Sequence, residues 1–362
     1  MKYQISKIIK GYRSLAVEGK LLYLYKSGSI FSMDLESYSL SKISHLNFSK
    51  IYNILSASRL ISRIFRLHPT TSIVFGNFLY IAFKSCIYKV CLASGSCQIH
   101  HIIPLNRRVL NFSIIKLSSI ETLVFGEYFS NPNKDPVNIW KLDNEKNTWE
   151  VAYVFVPGVI NHVHNIVELN NRIFVLTGDF GDASAIWLID SEFVECKPLL
   201  MGSQQYRATW ITQFENSFYY AMDSQLEQNY LICLEDLQFN KSNSLICDIP
   251  GSSIYNGNSL NLTKLIFSTS VECGEPSGVF LFDLFSNIRG PGIKSKYSHV
   301  FEYDLLNQRI SEIFKASKDI LPFRIFQFGS FLMPTGKMPI DTVILYGNAL
   351  KKYDNQTLIL KK

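Results

Sequence analysis

Residues 77–100 read NFLYIAFKSCIYKVCLASGSCQIH. Two apolar segments of strand length are separated by a short turn, and a second turn rich in Ser and Gly leads into a third segment. Apolar segments of this length between turn residues indicate β-strands. The same arrangement occurs in six further stretches, which are residues 20–43, 121–151, 171–199, 216–242, 263–287 and 341–362.

A repeat of roughly 40 to 50 residues made of short strands is typical of a β-propeller, in which each repeat is one four-stranded blade. We therefore predict an all-β chain that forms a single β-propeller domain over residues 1–362, with seven blades. Six blades are the alternative if one terminal unit is a partial blade, and a β-sandwich or two β domains are the competing folds. The sixth unit is long, and residues 284–298 are expected to form a loop outside the blade that could contact a protein partner.

The composition fits a globular protein and argues against several classes. Hydrophobic residues make up 47% of the chain, and the net charge of +6 is spread without a basic run, so no nucleic-acid partner is expected. No apolar stretch approaches the length of a membrane span, and the N-terminus lacks the features of a signal peptide. We therefore expect a cytoplasmic protein, which the seven irregularly spaced cysteines also fit. Nucleotide-binding glycine motifs and the serine-hydrolase elbow are absent from the sequence.

Polar residues recur near the start of the segment that precedes each repeat. That segment would be the innermost strand of a blade, and equivalent positions on the innermost strands converge on one mouth of the central channel. Carboxylates recur after the next strand, which should end at the same mouth. The residues of the first set are Arg13, Arg66, Arg108, His162, His164, Arg207, Tyr255 and Arg324, and those of the second are Glu127, Asp179, Asp182, Asp223, Glu227, Glu272 and Glu275.

His162 and His164 are the most informative pair. Residues two apart on a strand face the same side, so both imidazoles can address one ligand. They could bind a divalent metal together with a carboxylate such as Asp179 or Glu127, act as general acid or base, or hydrogen-bond sugar hydroxyls. A structural role, with the imidazoles satisfied by the backbone, is the remaining interpretation.

The arginines narrow the ligand class. A guanidinium binds carboxylates bidentately, so several around one funnel suggest an anionic ligand such as a uronic or sialic-type acid, or a phosphorylated or sulfated sugar. The segment MDSQLEQNY is rich in groups that suit hydroxyl-rich ligands, and paired carboxylates could serve as acid and base or nucleophile at a glycosidic bond. The candidates for anion or substrate binding are Arg66, Arg108, Arg207, Arg324, Tyr255 and Gln228, and the carboxylate candidates for catalysis are Glu127, Asp179, Asp223 and Glu227.

The segment KLDNEKNTWEV resembles the Asp-box hairpin, S-x-D-x-G-x-T-W, of sialidase-type (BNR-repeat) propellers. Thr148 and Trp149 match its end, whereas Leu142, Asn144 and Lys146 replace its Ser, Asp and Gly. Over residues 125–230 the order of motifs resembles sialidase-like propellers associated with bacterial surface-polysaccharide gene clusters. The resemblance implies a Tyr/Glu pair in the site, for which Tyr128 beside Glu127 is the candidate. Propellers of the oligogalacturonate lyase type, an analogy of fold alone, use metal-binding histidines and arginines on seven blades.

Together these features predict a carbohydrate-active propeller whose central funnel binds an acidic oligosaccharide or polysaccharide. We expect an enzyme that cleaves or processes a glycosidic bond, as a glycosidase or a lyase, with His162 and His164 as acid/base groups or metal ligands. The alternative is a non-catalytic propeller that binds glycans or serves as a scaffold for protein partners.

Overall fold

The computed structural model describes residues 2–48, 50–117, 119–235, 244–259 and 262–362. These residues form seven four-stranded antiparallel blades around a central channel, so the predicted seven-bladed β-propeller is confirmed. The channel, a cavity of about 620 Å³, is lined by the first strands of the blades.

The strands follow one another from the channel outward in each of the first six blades. The first three blades consist of Arg13–Glu18, Leu21–Lys26, Ser29–Asp34 and Leu40–His45; of Thr71–Phe75, Phe78–Phe83, Cys86–Cys91 and Cys97–Ile102; and of Ser113–Leu117, Ile120–Tyr128, Val137–Asp143 and Thr148–Phe155. The next three consist of His162–Leu169, Arg172–Gly178, Ala185–Ile189 and Cys196–Met201; of Thr212–Phe214, Ser217–Ala221, Asn229–Leu234 and Ser244–Ile249; and of Ser252–Ser259, Lys264–Ser270, Tyr297–Asp304 and Arg309–Ser317.

The seventh blade closes the ring with strands from both ends of the chain. Ser330–Leu332, Thr342–Asn348 and Gln356–Lys361 come from the C-terminal part, and the N-terminal strand Gln4–Lys10 pairs antiparallel with the last of them as the outermost strand. This pairing fixes the first and last blades to each other.

The second strand of each blade contains a run of buried apolar residues because it packs against both neighbouring blades. In the first blade Leu22 and Leu24 belong to a core layer shared with the seventh blade, whereas Tyr23 and Tyr25 pack against the second blade. Successive residues of a strand point to opposite faces, so a sheet covered on both faces needs apolar residues at every position. This is why the repeat reads as apolar runs and not as a strict alternation.

An aspartate ends the third strand in four of the blades. The carboxylate of Asp34 accepts hydrogen bonds from the backbone N–H groups of Glu36 and Ser37, at 2.9 and 2.7 Å. Asp143, in the segment that resembles an Asp-box, does the same for Glu145 and Lys146. Such turns fix the hairpin to the outermost strand. Asp190 and Asp304 occupy the equivalent positions.

Helical segments lie in the connections and not in the blades. No helix among the described residues is long and apolar enough to cross a bilayer. The insertion of the sixth blade lies between Lys264–Ser270 and Tyr297–Asp304, and so begins earlier than the predicted loop at 284–298. Two short extra strands, Arg108–Val109 and Lys337–Met338, join the third and sixth blades. The α-helices are Lys50–Ala57, Arg59–Ile64, Phe280–Phe285 and Phe323–Phe326, and the 3₁₀-helices are Gly181–Ala183 and Gln204–Tyr206.

Candidate functional site

The connections from fourth to first strands and from second to third strands lie at the same end of the propeller. This end, the mouth, carries residues from both of the sets that recur in the sequence. His162 starts a first strand, and Asp179 directly follows the second strand of the same blade. Equivalent positions in successive blades therefore meet at the mouth, as the propeller topology requires.

The imidazoles of His162 and His164 are buried and face each other. The Nδ1 atom of His162 lies 3.1 Å from the carbonyl oxygen of Phe129, and that of His164 lies 2.9 Å from the carbonyl oxygen of Ala208. A carbonyl only accepts, so each Nδ1 donates its proton and each neutral ring has its lone pair on Nε2. The two Nε2 atoms are 3.0 Å apart. Burial is the main factor that lowers the pKa of His164, which favours this neutral form.

Asp179 completes the triad. Its Oδ1 atom lies 3.3 Å from Nε2 of His162, 3.8 Å from Nε2 of His164 and 3.1 Å from a terminal nitrogen of Arg207. Burial alone would raise the pKa of this carboxyl, but its interactions with the two histidines and with Arg207 outweigh burial and hold the pKa below its usual range. The carboxylate is therefore ionised at neutral pH.

Two further buried carboxylates lie next to Arg207. The Oδ2 atom of Asp223 is 3.6 Å from the Nε atom of the guanidinium, while Glu272 accepts a hydrogen bond from Ser270. Burial raises the pKa of both carboxyls, and the neighbouring negative charges raise them further against the opposing effect of Arg207. Three carboxylates thus compete for one guanidinium. We call this group the acidic pit, and its members are His162, His164, Asp179, Arg207, Asp223 and Glu272.

The acidic pit fits a divalent metal ion. Metal–nitrogen distances of about 2.0–2.1 Å place two neighbouring ligand atoms roughly 3.0–3.4 Å apart, close to the separations of the His162, His164 and Asp179 atoms. The backbone carbonyls on Nδ1 supply the outer hydrogen bonds that metal-bound histidines usually make. Without a cation or an added proton, two lone pairs would face each other at 3.0 Å. The donor set of two imidazoles and one carboxylate suits Zn²⁺, Mn²⁺ or a similar ion.

A separate cavity of about 450 Å³ opens at the same mouth, and we call it the arginine cavity. Among the described residues that line it, none is Asp or Glu. Arg66 is held by the carbonyl oxygens of Arg324 and Ile325, each at 3.0 Å. Desolvation by the cavity walls, followed by the charges of Arg108 and Arg63, lowers the pKa of Arg66 to about 10. The four arginines of the lining are Arg13, Arg66, Arg108 and Arg324.

The guanidinium groups of this cavity are short of negative partners. Arg108 has no hydrogen-bond or ion-pair partner among the described residues, and Arg324 donates only to the carbonyl oxygen of Gly274 at 3.2 Å. Arg13 donates to the carbonyl oxygen of Thr70 at 3.3 Å. Unpaired guanidinium groups around one cavity favour an anionic ligand.

Tyr128 lies between the acidic pit and the arginine cavity. Its ring centroid is 4.2 Å from that of His162, and its backbone pairs directly with that of Arg108. The acidic pit and the arginine cavity are therefore neighbours. Burial, together with the carboxylates of the acidic pit, raises the pKa of the Tyr128 hydroxyl, so it stays protonated and can donate a hydrogen bond.

Other predicted site residues lie elsewhere or have other partners. Glu127 is fully buried, and its carboxylate accepts hydrogen bonds from Asn138 and Trp140 and pairs with Arg107. The carboxylate of Glu127 is therefore engaged within the blade. Glu227 is exposed, and the side chain of Gln228 donates to the carbonyl oxygens of Asn229 and Ile249. Arg207 is paired within the acidic pit and does not line the arginine cavity. The side chain of Tyr255 lies outside the described residues.

Three residues of the mouth were not among the predicted candidates. Glu272 belongs to the recurring set of carboxylates but is not one of the predicted catalytic candidates, although it lies in the acidic pit. Arg13 was noted in the arginine register and lines the cavity. His68 also lines the cavity, and its Nδ1 atom is buried without a hydrogen-bond partner among the described residues. The sequence signal that could have identified His68 is its position two residues after Arg66.

Comparison with solved structures supports the fold. An oligogalacturonate lyase in complex with manganese matches with a TM-score of 0.55 and 9% identity, covering 98% of this chain and 90% of that chain. The AfRom2 CNH domain matches with a TM-score of 0.57 and 7% identity over 100% and 99% of the two chains. The RRP9 WD40 repeats match with a TM-score of 0.56 and 9% identity over 99% of each. At such low identity these matches define only the class: the chain is a seven-bladed β-propeller.

No protein-family model and no curated protein matches the sequence. The resemblance to the sialidase (BNR) type therefore stays a prediction without support from a sequence family. The matched structures include a lyase and a chain of WD40 repeats, so the fold alone does not indicate the role of this chain.

Proposed function

We propose that this propeller is a divalent-metal-dependent enzyme that acts on an acidic glycan at its mouth. The acidic pit would hold the metal through His162, His164 and Asp179, and the arginine cavity beside it would bind carboxylates of the glycan. The proposal follows from two adjacent sites of opposite charge preference. A bound uronic-acid oligomer offers one carboxylate to the metal and others to the arginines at once.

The observation that carries the proposal is the orientation of the two histidines. Both rings donate Nδ1–H to a backbone carbonyl, so both Nε2 lone pairs are directed at one point next to Asp179. Backbone hydrogen bonds at Nδ1 alone would give no reason for the two Nε2 atoms to face each other at 3.0 Å. Convergent, preoriented donor atoms are what a metal site requires.

The distribution of carboxylates favours a lyase over a hydrolase. A glycosidase needs two accessible carboxyl groups that flank the glycosidic bond. Here Asp223 and Glu272 are 4% and 5% exposed, Glu127 is fully engaged, and no acid lines the arginine cavity among the described residues. Elimination from a uronide needs only one base: the C5–H and C4–O bonds break, a C4=C5 double bond forms, the base takes the proton and the departing oxygen takes up another.

A metal ion in the acidic pit would withdraw charge from the uronic carboxylate and so acidify the neighbouring C5 proton. The arginines would neutralise the other carboxylates of the chain and fix its register. Tyr128, between the two sites, would contact the sugar that bridges them. The lyase that matches this fold was solved with manganese, which makes Mn²⁺ the first ion to test.

Metal binding tests the proposal first. We expect protein stripped with chelator to bind one equivalent of Mn²⁺ or Zn²⁺ by isothermal titration calorimetry. The His162→Gln/His164→Gln double variant should weaken this affinity at least about 100-fold. His45→Gln is the matched control, since the imidazole of His45 hydrogen-bonds to Ser29 of the first blade and to Asn53 of the helix Lys50–Ala57, away from the acidic pit. Equal binding by the wild type and the double variant would contradict the metal site.

Activity tests the reaction type. Wild-type protein with Mn²⁺ should convert a uronic-acid oligomer into a product with the absorbance of an unsaturated uronide. A product of the same size without that absorbance would indicate hydrolysis instead. Metal binding and oligomer binding without turnover would favour the alternative, a non-catalytic glycan-binding propeller. Neither binding nor turnover would favour a protein-interaction scaffold like the WD40 propellers of the same fold.

A further inference from the structure

The helix Phe280–Phe285 in the insertion of the sixth blade is apolar and uncovered. Its sequence is FLFDLF, and no residue of the helix is buried. Phe280 is 75% exposed, Leu281 65% and Phe285 60%. Its only charged residue, Asp283, accepts hydrogen bonds from the backbone of the preceding turn. Large exposed apolar patches on a soluble domain mark contact surfaces.

The helix Lys50–Ala57 in the connection between the first and second blades repeats this pattern. Tyr52 faces inward and packs against Phe83 of the second blade. The outward face is also apolar, with Ile51 71% and Ile54 73% exposed. A surface helix that packs one face on the core is normally polar on the other face. An apolar outer face indicates that something covers it when the protein functions.

These helices form one continuous surface. Phe280–Phe285 contacts Phe323–Phe326, which in turn contacts Arg59–Ile64. The same connections hold Arg66 and Arg324 of the arginine cavity, so the surface borders the mouth. We call it the apolar rim, and its exposed members include Ile51, Ile54, Leu60, Phe65, Phe280, Leu281, Phe282, Phe285, Ile288 and Ile320.

The charge around the apolar rim is positive. Residues 46–70 contain Lys50, Arg59 and Arg66 and no Asp or Glu, while Arg63 of the same segment is buried and pairs with Asp319 and Asp354. Arg289 is exposed next to Ile288 in the insertion of the sixth blade. Apolar side chains interleaved with basic ones are the pattern of segments that lie in the interface of a membrane with anionic lipids. Glu275 and Asp283 lie in the insertion of the sixth blade, so basic groups outnumber acidic ones around the apolar rim but are not its only charges.

We infer that the apolar rim docks the mouth of the propeller onto an anionic lipid surface. The apolar side chains would enter the headgroup region, and Arg59 and Arg289 would contact phosphates. No helix of the described residues could span the bilayer, so the attachment would be peripheral. The inference does not depend on the metal site or on the glycan. It would place the mouth against a membrane and restrict the acceptable substrates to those presented there.

Flotation with vesicles tests this inference. Full-length protein is mixed with vesicles of phosphatidylcholine alone or with 30% phosphatidylglycerol. We expect binding only to the anionic vesicles, with weakening as salt is raised. The Phe280→Gln/Leu281→Gln/Phe285→Gln variant should bind at least about tenfold more weakly, because three inserted side chains are lost. The control is Ile99→Gln/Ile102→Gln, which removes two exposed apolar residues from the outermost strand of the second blade.

Three outcomes would overturn the inference. One is absence of flotation with anionic vesicles; another is equal flotation of the two variants. The third is dimerisation of the wild type that the Phe280 variant abolishes in sedimentation velocity, since the apolar rim would then join two copies of the chain. A Phe280→Trp variant gives a direct reading: its fluorescence should shift to the blue with anionic vesicles. Thermal melts of all variants in solution show whether each is folded, and metal titrations should be unaffected.

Discussion

The acidic pit and the arginine cavity share one mouth but differ in how their charges are balanced. In the acidic pit, carboxylates outnumber guanidinium groups, and every charged group lies against another, with only Asp179 partly exposed. In the arginine cavity, four guanidinium groups face one space without a carboxylate among the described residues. The first arrangement favours an added cation, and the second favours an added anion. A ligand that needs both, such as a metal-bound acidic sugar, suits their proximity.

The largest expected effect is a difference in the free energy of unfolding between variants of a paired and of an unpaired arginine. Arg207→Met should lower the free energy of unfolding by about 3–5 kcal/mol, because it leaves Asp179 and Asp223 buried without a counter-charge. Arg108→Met should change it by less than about 0.5 kcal/mol, since its guanidinium has no partner to lose. Urea denaturation of the metal-free variants measures both values. Similar losses of stability in the two variants would show that the charges of the acidic pit and of the arginine cavity are balanced in the same way.

In the absence of metal, anion binding should depend on the arginine cavity. We expect Arg66→Met and Arg108→Met each to weaken binding of a uronic-acid oligomer about tenfold, corresponding to about 1.4 kcal/mol for one lost charge-assisted contact. Arg172→Met is the control, because Arg172 is exposed at the end of its blade opposite the mouth. Calorimetric titration at two salt concentrations should also show weaker binding at higher salt. Equal affinity in all three variants would show that the arginine cavity does not bind the oligomer.

A further expected effect concerns pH and His68. Burial, followed by the charge of Arg13, lowers the pKa of His68 to about 3, compared with an ordinary value near 6.5. Between these values the unfolded chain binds a proton that the folded protein does not, so stability falls as pH drops below about 6.5. The slope from this residue is at most about 1.4 kcal/mol per pH unit. His68→Gln should flatten the slope in denaturation series between pH 4 and 6.5, and an unchanged slope would contradict this assignment.

The fold and the convergence of the register could be predicted because both depend on local patterns. Apolar second strands and turn residues identified the blades, and topology placed Asp179 near His162. The partners of each side chain could not be predicted. Nothing in the sequence indicated that Glu127 bonds to Trp140 and Asn138, or that Arg207 pairs within the acidic pit, because such contacts depend on which face each side chain takes in three dimensions. The apolar rim was also missed, since an apolar helix in sequence looks like a buried one.

The central claim is that the acidic pit binds a metal ion, and an anomalous-difference map from crystals grown with Mn²⁺ tests it most directly. The account predicts one strong peak between Nε2 of His162, Nε2 of His164 and Oδ1 of Asp179, and no peak there in His164→Gln crystals. A map with no peak in the acidic pit at saturating Mn²⁺, or with peaks only at exposed carboxylates, would contradict the claim and leave the histidines with a structural role.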